Sequence, residues 1–186
     1  MKLIIGLSGP IGCGKSTIAY ELQLFASMRE LKPIGFSFAT PLKDMVISLL
    51  RNAGYSAVEA SHLIGTQEGK TMRLDCLQGH TTRQAQQWLG TEWGRNLLGM
   101  NLWTDLTMSK IERTDANIIV IDDVRFPSEV AAITDRGGYV CRLERKGVEY
   151  NMTHSSEQKL NCPVISNNSD PQEVAETVLQ KALASQ

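Results

Sequence analysis

Between Lys2 and Leu22 lies a stretch that leaves the chain few options. Leu3-Ile4-Ile5-Gly6-Leu7 is an apolar run of strand length. Gly9-Pro10-Ile11-Gly12-Cys13-Gly14-Lys15-Ser16 follows at once and fits G-x-x-x-x-G-K-[ST] at every fixed position. Thr17 to Leu22 then opens a helix. A glycine loop between a buried strand and a helix start can curl its N–H groups around a phosphate. The helix start adds further N–H groups and partial positive charge. Gly9, Gly12, Cys13, Gly14, Lys15, Ser16 and Thr17 are therefore the expected contacts of a nucleoside triphosphate. Lys15 supplies a charge for the β- and γ-phosphates, and the Ser16 hydroxyl is a ligand for Mg²⁺. A glycine-rich turn with a chance lysine would not need this context on both sides. The motif does not name the phosphate acceptor.

The chain has 186 residues, enough for one domain, residues 1–186, with a core and a helical insert. Its formal net charge of −1 gives no basic field for nucleic acid or an anionic membrane. No apolar run approaches the roughly 20 residues that span a bilayer, and the start of the chain does not read as a signal peptide. Cys13, Cys76, Cys141 and Cys162 are widely spaced, without a C-x-x-C pair. That argues against zinc and a disulfide framework and fits a reducing cytoplasm. Cys13 lies inside the glycine loop, so thiol reagents are expected to inhibit.

Further strands are expected at Pro33–Ala39, Ile118–Ile121, Tyr139–Leu143 and Pro163–Ser166. Thr40-Pro41 reads as the N-cap and first residue of a helix whose apolar stripe is Leu42, Met45, Val46, Leu49 and Leu50. Tyr55 to Gln78 is polar and broken by glycines, and reads as a mobile segment. One helix is expected from Arg83 to Leu98, another from Asn101 to Arg113, another from Pro127 and a last one from Pro171. Apolar strands alternating with helices predict an α/β fold with a five-stranded parallel sheet flanked by helices. Ligands then gather at the carboxyl ends of the strands. The stretch of about residues 40–115 is longer than an ordinary crossover and reads as an insert covering an acceptor site.

Asp122-Asp123 ends the third strand, where a phosphate-loop enzyme places the carboxylate that serves its metal. Neighbouring strand residues face opposite ways, so one of the two looks at the loop. Among the arginines, Arg83 and Arg125 have positions suited to anions. Arg95 lies twelve residues beyond Arg83, some 18 Å along a regular helix, so the two cannot clamp one phosphate. Trp88, Trp93 and Trp103 are each large enough to stack a base, though tryptophans on amphipathic helices are more often core. Gln87 and Glu92 are polar on a helix with an apolar face. Asn167-Asn168 closes the last strand, placing Asn167 among the candidate nucleotide contacts. His154 precedes Ser155-Ser156-Glu157 and reads as a loop or capping residue.

Several of these stretches together resemble the phage-type deoxynucleoside monophosphate kinases. They are Phe38-Ala39-Thr40-Pro41-Leu42-Lys43, Thr82-Arg83-Gln84 with Leu89-Gly90-Thr91-Glu92-Trp93-Gly94-Arg95, Asp123-Val124-Arg125-Phe126-Pro127-Ser128-Glu129, and His154-Ser155-Ser156-Glu157. The resemblance runs from the first strand to Asn167-Asn168. It implies the nucleoside monophosphate kinase fold, with a helical acceptor-binding insert and a small lid at about residues 144–161. It implies ATP-dependent, Mg²⁺-assisted phosphorylation of a deoxynucleoside monophosphate to the diphosphate. Phe38, Lys43, Arg83, Gln87, Trp88 and Glu92 would then border the acceptor. Arg125 would sit beside the phosphates, and Arg145 or Lys146 would come from the lid. The catalytic set becomes Lys15, Asp123, Arg125 and Arg145. The place of Asp123 in the DVRFPSE stretch favours it over Asp122 as the metal carboxylate beside Ser16. No nucleic acid or membrane partner is implied, and a homodimer is compatible with the pattern. A dephospho-coenzyme A kinase is the rival enzyme, against which the LGTEWGR stretch argues. A nucleotide-dependent switch or motor is the rival of another class, against which the neutral charge argues.

Overall fold

A computed structural model describes residues 2–149 and 159–185. The chain divides into two compact units: residues 2–38 with 108–185, and residues 39–107.

The first unit is built on five parallel strands: β1 (Leu3–Ser8), β2 (Pro33–Phe36), β5 (Ile118–Ile121), β6 (Tyr139–Glu144) and β7 (Val164–Ser166), in the order β2-β5-β1-β6-β7. The five expected strands are all present. Alternate residues of the central pair serve opposite faces. Leu3, Ile5, Leu7, Ile118 and Val120 join one apolar cluster with α1 (Lys15–Met28) and α8 (Pro171–Ala184). Ile4, Ile119 and Ile121 join a second cluster, to which Met108, Ile111 and Ile133 contribute. Burial on both faces explains why these strands are unbroken apolar runs, each side chain worth roughly 1.5–3 kcal/mol of burial. The ladder fixes β1 with its carboxyl end toward the glycine loop and sets the end of β5 beside it, since Gly6 pairs with Ile121. Asp122 and Asp123 follow directly.

The second unit holds α2 (Thr40–Asn52), α3 (Ala57–Gly65), α4 (Gln67–Thr71), a two-stranded hairpin of β3 (Arg73–Leu74) and β4 (His80–Thr81), and α5 (Thr82–Trp88). α6 (Leu102–Arg113) runs from this unit into the first. Two expectations change here. The 55–78 stretch is ordered: Val46, Leu50, Ala60, Leu63, Ile64 and Leu74 form a core of their own. Three of its polar residues are caps. Ser56 and Glu59 close a reciprocal capping box on α3, and the Thr66 hydroxyl accepts the Gly69 N–H to start α4. At α2, Ala39 rather than Thr40 takes the N-cap position, with no side-chain cap, and Thr40 is already helical.

The expected helix from Arg83 to Leu98 also changes character. It starts as α5 at Thr82 and continues from Leu89 to Leu98 as π-helix. Such geometry ordinarily lasts a single turn and clusters at functional sites. The stretch is closely packed. Gly90 and Gly94 are buried, and the Gly90 carbonyl accepts from both the Trp103 indole N–H (2.8 Å) and Arg95 Nη1 (3.2 Å). A methyl group at Gly94 would stand 2.5 Å from the Trp103 ring. The 18 Å spacing between Arg83 and Arg95 assumed a regular α-helix and does not apply. Among the described residues, no helix is long and apolar enough to cross a membrane. The His154–Glu157 stretch and most of the expected lid lie outside the described residues.

Candidate functional site

The glycine loop bridges β1 and α1 as expected. Gly14 caps α1 in left-handed geometry at φ 92°, which a β-carbon would strain, and no side chain caps the helix. The Lys15 ammonium folds back over the loop, donating to the carbonyls of Gly9 (2.7 Å) and Pro10 (2.9 Å), with Cys13 Sγ 3.9 Å away. Burial pulls its pKa below the ordinary lysine value. Cys13 counters this, Arg125 adds to the lowering, and Asp122 and Asp123 oppose it. Lys15 and Arg125 therefore share one electrostatic environment.

The acidic pair divides. The Ser16 hydroxyl donates to Asp122 Oδ2 at 2.9 Å. Asp123 turns to the end of β2, accepting from the Ser37 hydroxyl (2.6 Å) and the Phe38 N–H (2.8 Å). The alternation expected of a strand is kept, but the loop-facing residue is Asp122 and not Asp123. The Ser16–Asp122 pair offers two hard oxygens, the donor set that suits Mg²⁺, which takes one or two carboxylates plus phosphates. No cluster of three or more His, Cys, Asp or Glu side chains occurs among the described residues. A magnesium ion needs no such cage.

Asn167 approaches the loop from beyond β7. It is buried, and its side-chain amide donates to the Cys13 carbonyl at 2.6 Å. A β-carbon at Gly14 would lie 2.5 Å from the same amide nitrogen. Asn167 thus braces the loop rather than facing outward. Asn168 accepts the Lys146 N–H at 2.8 Å, fixing the turn after β6 in which Arg145 is exposed. The Cys13 thiol is fully buried, which limits the reagent access expected of it.

Glu129 ends the DVRFPSE stretch, and the sequence alone assigns it no role. It is only 2% exposed, and its Oε2 accepts the N–H groups of Arg125 (2.7 Å) and Phe126 (3.1 Å). The sequence signal for it is the carboxylate three residues past the helix N-cap Phe126. Nothing local in the sequence pointed to Ser37.

Phe38, expected at the acceptor, has its side chain in the second apolar cluster, 2% exposed. The other acceptor candidates belong to the second unit. Lys43 is half-buried in the first turn of α2; Gln87, Trp88 and Glu92 are exposed. Trp88 meets the His80 ring edge-on at 4.8 Å. Trp103 is core. Arg83 is exposed, its Nη2 donating to Gln67 Oε1 at 2.6 Å. The α5 N-terminus is partly occupied: the Thr81 hydroxyl accepts the Gln84 N–H, so that group is not left for a phosphate.

A parallel sheet whose first strand delivers a lysine-bearing glycine loop, with a serine and carboxylate paired beyond it, defines a phosphate-loop nucleotide-binding protein. Shikimate kinase from Aquifex aeolicus shares the fold, with a TM-score of 0.51 at 11% identity over 98% of this chain and 96% of that one. The family model for deoxynucleotide monophosphate kinase matches residues 48–178. A protein of Acanthamoeba polyphaga mimivirus, provisionally described as a deoxynucleotide monophosphate kinase, is 32% identical over 85% of this chain and 82% of its own length. The chain belongs to the deoxynucleotide monophosphate kinase family.

Proposed function

We propose that this chain transfers the terminal phosphoryl group of ATP to the phosphate of a deoxynucleoside monophosphate, yielding ADP and the diphosphate. The support is the complete loop with Lys15 beside the Ser16–Asp122 pair, in a chain of this family. Phosphoryl transfer asks for positioning and charge neutralisation more than for covalent chemistry. The loop of Gly9, Gly12, Cys13, Gly14 and Thr17 cradles the donor phosphates. Lys15 exchanges its two loop carbonyls for β- and γ-phosphate oxygens, and Arg125 adds a second positive charge there. The Ser16 hydroxyl and Asp122 would hold Mg²⁺, which would supply further charge neutralisation for the donor phosphates. Asp123 holds the end of β2 through Ser37 and Phe38. An acceptor phosphate oxygen is already ionised near neutral pH, so no protein base is required.

Arg83, Lys43, Gln87, Trp88 and Glu92 bind the acceptor. The Arg83 fork takes its phosphate, a geometry an ammonium does not reproduce. Arg145 completes the charged set from the turn after β6. Four free cysteines fit the cytoplasm as the place of action. A panel assay of ADP release with ATP–Mg²⁺ and each deoxynucleoside monophosphate, with dephospho-coenzyme A alongside, tests the proposal. At least one deoxynucleotide should be phosphorylated and dephospho-coenzyme A should not. Turnover with dephospho-coenzyme A alone would overturn it.

A further inference from the structure

We infer that Glu129 is a positioning residue of the reaction, acting through Arg125. The inference rests on the role proposed above for Arg125. A carboxylate this deeply buried is costly unless its oxygens are taken up by donors. Here one oxygen gathers two adjacent main-chain N–H groups, at 2.7 Å from Arg125 and 3.1 Å from Phe126. Both belong to the turn that carries the β5 end into α7 (Pro127–Thr134). The rest of the turn is equally fixed. The Val124 N–H donates to the Leu7 carbonyl at 3.2 Å, and Val124 is buried. The Phe126 carbonyl accepts the Glu129 and Val130 N–H groups.

Arg125 is thus the exposed member of a turn whose neighbours are locked. Its main chain is fixed on one side by β1, whose next residues are the glycine loop, and on the other by Glu129. A long side chain can serve a transferring phosphate only if its root does not wander, and misplacement of about 1 Å can cost a hundredfold in rate. The contact to the Phe126 N–H caps α7, whereas the shorter one, to the Arg125 N–H, reaches a residue outside the helix. The pairing of an exposed arginine with a buried carboxylate four residues on gives the DVRFPSE stretch a mechanical sense.

The test is a double-mutant cycle in the full chain: Arg125→Ala, Glu129→Ala and the two combined, with kcat for ATP and the preferred deoxynucleotide as readout. Arg125→Ala should lower kcat roughly a hundredfold, as loss of one preorganised charge does. Glu129→Ala should lower it about tenfold or more. The double variant should be no slower than Arg125→Ala, because Glu129 has nothing left to position. If Glu129→Ala does not fold, Glu129→Met, which keeps most of the volume but offers no acceptor oxygen, enters the same cycle. A double variant slowed by the product of the two single effects leaves the reaction intact and overturns the role of Glu129. Wild-type protein that phosphorylates no deoxynucleotide, or an Arg125→Ala variant as fast as wild type, locates the fault in the proposed reaction or in Arg125. Either result removes the inference as well.

Discussion

At the scale of single residues, the informative contrast is between two adjacent aspartates of identical chemistry. Asp122 meets Ser16, and Asp123 meets Ser37 and Phe38. Their asparagine variants should therefore fail differently. Asp122→Asn should raise the Mg²⁺ concentration for half-maximal activity roughly tenfold or more, on the scale of lost oriented ligands, with little change in Tm. Asp123→Asn should leave the Mg²⁺ dependence alone and lower stability. An amide that turns its NH2 toward one of the two donors costs about 1–3 kcal/mol, or about 2–4 °C of Tm per kcal/mol at this size. Metal titrations and melting curves on both variants check this, and interchanged phenotypes would reverse the assignment. Strand alternation said that the pair divides, but not which way. That choice depends on where β2 ends, a long-range fact that no window around Asp122 contains.

Among the elements, those read correctly are the ones whose cause is local. β1, the loop and α1 are specified by consecutive residues, and the parallel strands by their own apolar runs. The π-helical turn from Leu89 to Leu98 is the opposite case. It packs on Trp103, whose ring and N–H are received by Gly94 and Gly90. An apolar period alone cannot separate that from a straight α-helix. The order of the 55–78 stretch is hidden for a different reason. Ser56-x-x-Glu59 is a capping signature visible in the sequence, but the polar residues and glycines outweighed it. Gly94→Ala should cost about 1–3 kcal/mol through overpacking against Trp103. The cost should appear as an altered tryptophan emission together with a lowered Tm. Unchanged emission and stability would show that Trp103 yields freely.

For the molecule as a whole, the donor and acceptor sites proposed above fall in separate units: the loop, Lys15 and Asp122 in the first, Arg83 and its neighbours in the second. A substitution in one should leave binding to the other largely intact. Arg83→Lys should weaken binding of the deoxynucleoside monophosphate roughly tenfold, about the loss of one charge-assisted hydrogen bond, and leave ATP affinity unchanged in calorimetric titrations. Weakened ATP binding with every monophosphate spared would place the acceptor elsewhere. Family membership identifies a kinase, and the fate of the phosphoryl group decides how it works. The most direct measurement follows γ-labelled ATP in the presence of Mg²⁺ and the preferred deoxynucleoside monophosphate. The label should appear in the deoxynucleoside diphosphate, with little inorganic phosphate, and Lys15→Ala should lower the rate by at least about a hundredfold. Label released as inorganic phosphate at the same rate with or without the acceptor, or undiminished transfer by folded Lys15→Ala protein, would contradict a phosphate-loop kinase acting on a soluble monophosphate.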